Sequence, residues 1–137
     1  MPTSKPLPIL LPGEQRRIPT SFAWLDHRLR APAYLGRMSR EELGLYLFLA
    51  LAADRHGLSC WRLDRVERTM PCLDVPALAR ARQGLVDLGL VAFRPWSARD
   101  PDGIYQLLAL GAPATRRVAR AGEPVSLASL MAQLLDR

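Results

Sequence analysis

The sequence predicts a small, mainly α-helical domain that carries one β-hairpin. Amphipathic segments follow helix-capping residues, and two short β-like segments are separated by turn residues. The third observation is the composition, since 49% of the 137 residues are hydrophobic and 23% are charged. This balance is typical of one globular domain that buries a core without disulfide bonds.

The clearest predicted helix begins after Ser39. Ser39 and Glu42 have the spacing of a capping box, so we expect a helix from residue 40 to about residue 55, with Gly57 as its stop. Apolar residues occupy both of its faces (Leu43, Tyr46, Leu47 and Ala50; Leu45, Phe48, Leu49 and Ala52). Such a helix is expected to be buried on more than one side, under the N-terminal segment or against a second copy.

The other elements follow from the same signals. Phe22, Leu25 and Leu29 share one helical face, and Asp74 is a good N-cap for the helix predicted over 75–88. Helices are predicted over 22–30, 63–70, 75–88 and 127–136, with a turn over 33–37 and strands over 58–61, 90–94 and 104–110. The last two strands make the hairpin, with turn residues over 95–103 between them.

Four regions follow along the chain. Residues 1–19 hold five of the twelve prolines and are predicted to be an extended arm. Residues 20–110 form the folded domain, including its N-terminal helix. Residues 111–125 are a basic linker, and residues 126–137 form an amphipathic C-terminal helix.

The segment from Leu73 to Val91 carries a family resemblance. It ends in Leu85-Val86-Asp87-Leu88-Gly89-Leu90-Val91, and it is similar to the recognition helix and the start of the wing in winged helix-turn-helix DNA-binding domains of bacterial regulators and of replication or mobile-element proteins. The resemblance covers about residues 39–110. It implies a winged helix-turn-helix fold (α/β), here with added N- and C-terminal helices.

The resemblance also implies where DNA would bind. The matching positions are Val75, Ala77, Ala79, Arg80 and Gln83, of which Arg80 suits a guanine edge or a phosphate and Gln83 suits adenine. The first three side chains offer no hydrogen bonds, so direct base recognition is expected to be sparse. Arg82 occupies a position that is usually apolar in the family. Either the helix is rotated, or the stem of Arg82 lies along apolar surface.

Further residues are predicted to contact DNA, each with an alternative. Arg62 and Arg65, with Arg68, either contact phosphates or pair with the interleaved Asp64 and Glu67. The predicted DNA-binding set is Arg80, Arg82, Gln83, Arg62, Arg65, Arg94, Trp96, Arg99, Arg16 and Arg17. In the wing, Asp100 and Asp102 offset Arg94 and Arg99, and Trp96 either enters a groove or packs on its own hairpin.

The net charge of +6 favours an acidic partner, with nucleic acid as the first candidate. Its distribution is uneven, because residues 1–38 hold six basic residues against two acids and residues 111–137 also carry a basic excess. The charge therefore supports arm-like phosphate contacts more than base recognition by the helix.

Catalysis, metal binding and cofactor binding are not predicted. His27, His56, Cys60 and Cys72 lack metal-ligand spacing, no phosphate-binding loop or nucleophile motif is present, and buried free thiols are the expected state of the cysteines. No signal peptide or membrane span is predicted, and two cysteines suggest a reducing compartment such as the bacterial cytoplasm.

Two functions of different classes remain open at this point. The first is double-stranded DNA binding, dependent on sequence or on DNA structure, by a transcription regulator or a plasmid or mobile-element replication or transposition accessory. The second is a protein-interaction adaptor of the same fold in a larger nucleoprotein complex. The C-terminal stripe either packs on the domain or binds a partner (Leu127, Leu130, Met131, Leu134 and Leu135). A homodimer would suit two DNA half-sites.

Overall fold

The computed structural model describes residues 5–111, which form a mixed α/β fold of three α-helices and a three-stranded antiparallel sheet. The elements in chain order are α1 (Arg40–Ala52), β1 (Leu58–Ser59), α2 (Leu63–Thr69), α3 (Val75–Asp87), β2 (Val91–Pro95) and β3 (Gly103–Leu107). The central strand of the sheet is β3, which pairs with both β1 and β2. The prediction of helices with one small hairpin is confirmed at this level. None of the helices within this range has the length and apolar character that crossing a membrane requires.

The capping box before α1 is confirmed by its hydrogen bonds. The Glu42 amide donates to Ser39 Oγ at 3.1 Å, and the Ser39 amide donates to Glu42 Oε1 at 2.8 Å. The helix ends at Ala52 rather than near residue 55. Asp54 explains the difference, because its Oδ1 accepts from the amides of His56 and Leu58 and so forms a turn.

Buried and half-buried residues alternate along β2 and over most of β3. Val91 lies opposite Leu107, Phe93 opposite Tyr105 and Pro95 opposite Gly103, and all of these residues except the half-buried Leu107 are buried. The strands are displaced from the predicted 90–94 and 104–110, so the hairpin loop is residues 96–102. Gly103 fits there because a Cβ at this position would collide with the backbone carbonyl of Arg94.

The core joins α1, α3 and the hairpin. Its fully buried members include Leu45 and Leu49 of α1, Leu78 and Leu85 of α3, and Tyr105 of β3. Burying an aliphatic side chain of this size stabilises the fold by about 1.5–3 kcal/mol. This packing fixes α3 against the domain along one face only, which leaves its other face outward.

The predicted N-terminal helix over 22–30 is wrong. Only a 3-10 turn forms (His27–Arg30), because the Asp26 side chain accepts from the Arg28 amide and starts the turn there. The Asp26 carboxylate also accepts from the Arg28 guanidinium at 2.7 Å, which holds the pKa of Asp26 below its usual value. Residues 5–25 lie outside helices and strands and are exposed. A second 3-10 turn, Leu35–Arg37, falls within the predicted turn.

The expected burial of α1 on a second side is seen in part within the described residues, where Ala50 is buried, and burial against a second copy stays a prediction. Leu45, Phe48 and Leu49 are buried, whereas Leu43, Leu47 and Leu51 are exposed. We refer to these three exposed leucines as the uncovered face of α1. The predicted C-terminal helix lies outside the described residues.

Candidate nucleic-acid interface

The outward face of α3 is polar. Its exposed residues, Pro76, Arg80, Gln83 and Asp87, follow helical spacing on the side opposite the buried Leu78 and Leu85. Gln83 Nε2 donates to Asp87 Oδ1 at 2.8 Å. Within residues 5–111, the Arg80 guanidinium has neither a salt bridge nor a hydrogen bond, so its donors are directed to solvent.

Arg82 has a different position on the same helix. Its Nη1 donates to the Pro101 carbonyl at 2.8 Å and to the Tyr105 hydroxyl at 3.3 Å, and its guanidinium carbon lies 4.0 Å from the centre of the Phe93 ring. Of the two alternatives for Arg82, the structure therefore shows the side chain lying along apolar surface. These contacts join α3 to the hairpin.

Tyr105, whose hydroxyl accepts from Arg82, is a buried residue of the core. Burial raises the pKa of its phenol above the usual 10.0, and the adjacent Arg82 cation opposes part of the rise. The phenol therefore stays protonated and remains a neutral hydrogen-bond partner for Arg82 over the whole physiological range.

The first turn of α3 offers little to DNA directly. The amide of Val75 donates to Glu67 Oε2 at 2.8 Å and that of Ala77 to Asp74 Oδ1 at 2.9 Å, so carboxylates already occupy both amides. The predicted N-cap is confirmed by the second bond. Ala77 is buried, which contradicts its predicted place among the DNA contacts, while Val75 and Ala79 are half-buried.

The arginines of α2 differ in their partners. Arg62, just before the helix, pairs with Asp64 at 3.2 Å and lies 3.8 Å from the Asp102 carboxylate. Arg65 and Arg68 are exposed, and within the described range no carboxylate lies within salt-bridge distance of either. Glu67 accepts from the Val75 amide of α3, and no salt bridge joins it to either arginine within the described range. The pairing alternative is therefore correct for Arg62.

The hairpin loop carries its charges in separate directions. The Asp102 carboxylate accepts from the Leu63 amide at 3.1 Å, which caps α2, and it forms no salt bridge with Arg99. Arg99 and Trp96 are exposed, and Arg94 is half-buried on the outer face of the hairpin opposite Ile104. The Trp96 amide donates to the Asp102 carbonyl at 3.0 Å, which closes the loop.

Of the two basic segments that flank the domain, the structure describes most of the N-terminal arm but not residues 112–137. Arg16 and Arg17 lie in the exposed N-terminal stretch. The linker arginines and the apolar C-terminal stripe lie outside the described residues (Arg116, Arg117 and Arg120; Leu127, Leu130, Met131, Leu134 and Leu135).

A cavity of about 550 Å³ opens beside α1. The N-terminal segment contributes Phe22 and Trp24 to its wall, and α1 contributes Tyr46 and Ala50. Burial raises the pKa of the Tyr46 phenol, and the charge of Asp26 adds to the rise. The side chains that line the cavity are mostly apolar, with a few polar groups among them.

The candidate metal ligands do not form a cluster. Between residues 5 and 111, no three His, Cys, Asp or Glu side chains are placed to hold a metal ion together. Cys60 and Cys72 are free thiols, but they are exposed rather than buried as predicted.

Comparison with known proteins gives no relative. The chain matches no protein-family model, no curated protein and no solved structure. Its function is therefore argued from its own residues.

Proposed function

We propose that this protein binds double-stranded DNA as a winged helix-turn-helix domain. The order of helices and strands, with β3 between β1 and β2, supports this fold. The Leu73–Val91 segment, which resembles that family, coincides with α3 and the start of β2. In this arrangement α3 presents its outward face to the major groove and the hairpin is the wing.

The observation that carries the proposal is the exposed Arg80, which has no partner among residues 5–111 and lies beside Gln83 on a helix anchored by its opposite face. A guanidinium in this position is free to bind a phosphate or a guanine edge without breaking a contact in the domain. Arg65 and Arg68 of α2 and Arg99 of the hairpin loop add exposed cations. Arg16 and Arg17 of the arm add two more.

The structure favours phosphate contact over base recognition. Val75 and Ala79 offer apolar surface only, and the Gln83 amide already donates to Asp87. Arg62 and Arg82 are held by partners within the domain, so the proposal does not use them. Affinity is thus supplied mainly by charge, and discrimination between DNA sequences is expected to be modest.

The role in the cell follows from the resemblance. A small protein of this kind would regulate transcription, or assist replication or transposition of a plasmid or mobile element. Its DNA target would place it in the bacterial cytoplasm, with the nucleoid.

The test is duplex binding measured by fluorescence anisotropy over a range of salt concentrations. If about six phosphates are neutralised, log affinity should fall with log salt at a slope of about −5. Arg80→Ala should weaken binding about tenfold and reduce the slope by about 1. Arg37→Ala is the matched control, since Arg37 is also exposed but lies outside the proposed interface.

Two results would contradict the proposal. One is the absence of duplex binding at low salt. The other is an equal loss of affinity for Arg80→Ala and Arg37→Ala, because net charge rather than the face of α3 would then account for binding.

The second candidate function is a protein-interaction adaptor, favoured by the uncovered face of α1 and the apolar start of α3. Removal of residues 112–137 separates the two functions. The adaptor function predicts loss of partner capture with the fold intact. The DNA function predicts a larger effect from Arg80→Ala.

A further inference from the structure

A hollow of about 490 Å³ lies where the end of α1, the edge strand β1 and the start of α2 meet. Its volume is in the range of pockets that hold small ligands. Apolar side chains of α1 and β1 line it together with Ser59, Cys60, Trp61, Arg62 and Arg65. None of these residues belongs to α3, and only Arg65 is shared with the proposed duplex interface. The proposed function therefore leaves most of the hollow unused.

Trp61 is held in place by the core and is still accessible from outside. Its ring packs edge-on against the buried Phe48, with the ring centres 5.2 Å apart and the planes at 85°. Trp61 is nevertheless 41% exposed. An aromatic side chain that core packing already orders loses little freedom when a ligand stacks on it. The residue is thus suited to bind a flat aromatic group.

The hollow also has a cation that is free to bind an anion. Arg65 is exposed, and within residues 5–111 its guanidinium has neither a salt bridge nor a hydrogen bond. Arg62 is instead held by Asp64 at 3.2 Å and lies 3.8 Å from the Asp102 carboxylate. An anion in the hollow would therefore bind Arg65 without displacing a carboxylate.

The Ser59 hydroxyl is the third feature of the hollow. Its Oγ is buried and has no hydrogen-bond partner among the described residues. Buried polar groups in proteins are normally paired. Because Ser59 lines the hollow, a ligand that carries hydrogen-bonding groups would supply the missing partner.

We propose that the hollow binds one unpaired nucleotide of a single-stranded nucleic acid. The base lies against Trp61, the phosphate meets Arg65, and a polar group of the nucleotide reaches Ser59. An apolar side chain of a partner protein would use Trp61 alone and would leave Arg65 and Ser59 without partners. A nucleotide supplies an aromatic ring, an anion and hydrogen-bonding groups together. The bases of an intact duplex are stacked inside it, so the hollow selects unpaired strands.

The first test is the fluorescence anisotropy of a labelled oligothymidylate of about 12 nucleotides, a length within known single-strand site sizes. The full chain should bind it at low salt. Trp61→Leu should weaken this binding about tenfold, as expected for the loss of one stacked base. Affinity for a blunt duplex should stay within about twofold, because the two sites are separate. Trp24→Leu is the matched control, since Trp24 is 74% exposed and lies outside the hollow.

Two milder variants keep this test independent of folding, because Trp61→Leu also removes the contact with Phe48. Trp61→Phe keeps an aromatic ring and should retain most of the single-strand affinity. Ser59→Ala should weaken single-strand binding about threefold. It should leave the fold at least as stable, since it removes a buried hydroxyl that has no partner in the described range. Unchanged single-strand affinity together with a loss of stability would assign the hydroxyl to the fold and contradict its proposed role.

Cys60 reports directly on whether the hollow is occupied. The chain has two cysteines, both free and exposed, and of these only Cys60 lines the hollow. In Cys72→Ser, alkylation of Cys60 by iodoacetamide should slow about tenfold when oligothymidylate is present at about ten times its dissociation constant. A blunt duplex should not protect Cys60. In the matched variant Cys60→Ser, oligothymidylate should slow the alkylation of Cys72 far less.

Four outcomes would overturn the proposal. One is no binding of oligothymidylate at low salt, and another is an equal loss of affinity for Trp61→Leu and Trp24→Leu. The third is alkylation of Cys60 that the bound strand does not slow. The fourth is tighter binding of free thymidine monophosphate, because the ligand would then be a free nucleotide rather than a strand. Each can occur whether or not α3 binds a blunt duplex, so it is distinguishable from failure of the proposed function.

Discussion

Arg80 and Arg82 lie two positions apart on α3, yet the structure gives them different surroundings. Arg82 faces the hairpin, where it donates to Pro101 and Tyr105 and covers the ring of Phe93. Arg80 faces outward and has no partner in the described part of the chain. One side of the helix is joined to the domain, and the other is available for binding.

The difference shows that a count of arginines overstates the positive charge available to an external ligand. Arg62 and Arg28 also pair with nearby carboxylates, as Arg82 pairs with neutral acceptors. The cations left for a ligand are those whose neighbours offer no acceptor. The joined side of α3 should therefore affect stability, and the outward side should affect binding.

The largest effect is expected from Gly103→Ala, in the hairpin against which the joined side of α3 packs. The new Cβ would meet the Arg94 carbonyl, which is backbone and can move only by distorting the hairpin. We expect a loss of about 3 kcal/mol in the free energy of unfolding, measured by urea denaturation. Gly36→Ala is the control, because its Cβ would lie 3.4 Å from the Pro32 side chain. A loss of stability from Gly103→Ala no larger than that from Gly36→Ala would contradict the close pairing of β2 and β3 at Gly103.

Arg82→Ala should have the next largest effect. It removes the cation over Phe93 and two hydrogen bonds, and we expect a loss of about 2 kcal/mol in stability. Duplex affinity of the folded fraction should change less than it does for Arg80→Ala. A stable variant with abolished DNA binding would assign Arg82 to the interface instead.

High pH should weaken the same side of α3. The folded pKa of Tyr105 is raised by burial, so above pH about 10 the unfolded state loses its proton first and stability falls as pH rises. The deprotonation of one tyrosine lowers the free energy of unfolding by at most about 1.4 kcal/mol per pH unit. Urea denaturation from pH 8 to about 11 should show a smaller fall for Tyr105→Phe. An unchanged fall in that variant would exclude Tyr105 as its source.

Arg80→Ala should have the smallest effect on stability. An exposed side chain with no internal partner contributes within about 0.5 kcal/mol. A larger loss by urea denaturation would show that the outward side also holds the fold together.

Local signals predicted most of the elements. The capping box at Ser39 and the cap at Asp74 depend on a few adjacent residues, and both are confirmed. The predicted helix over 22–30 is wrong although its apolar residues have helical spacing. Phe22 and Leu25 remain exposed, so no packing stabilises a helix there. Spacing shows which residues share a face, but it does not show whether anything covers that face.

The contacts that distinguish one arginine from another could not be predicted in this way. Arg82 meets residues of a later strand, and Glu67 accepts from an amide eight residues along, outside any capping pattern. The only signal in the sequence was the presence of an arginine where the resembling family has an apolar residue. Interactions of this kind depend on how the elements pack.

The bond from the Leu63 amide to Asp102 has a consequence for the order of events when the chain is made. α2 has seven residues, too few to be stable alone. Its first amide finds its acceptor 39 residues later in the chain. This bond can therefore form only after the hairpin loop has been synthesised and has reached α2. Protection of the α2 amides from hydrogen exchange would record the moment at which the loop reaches α2.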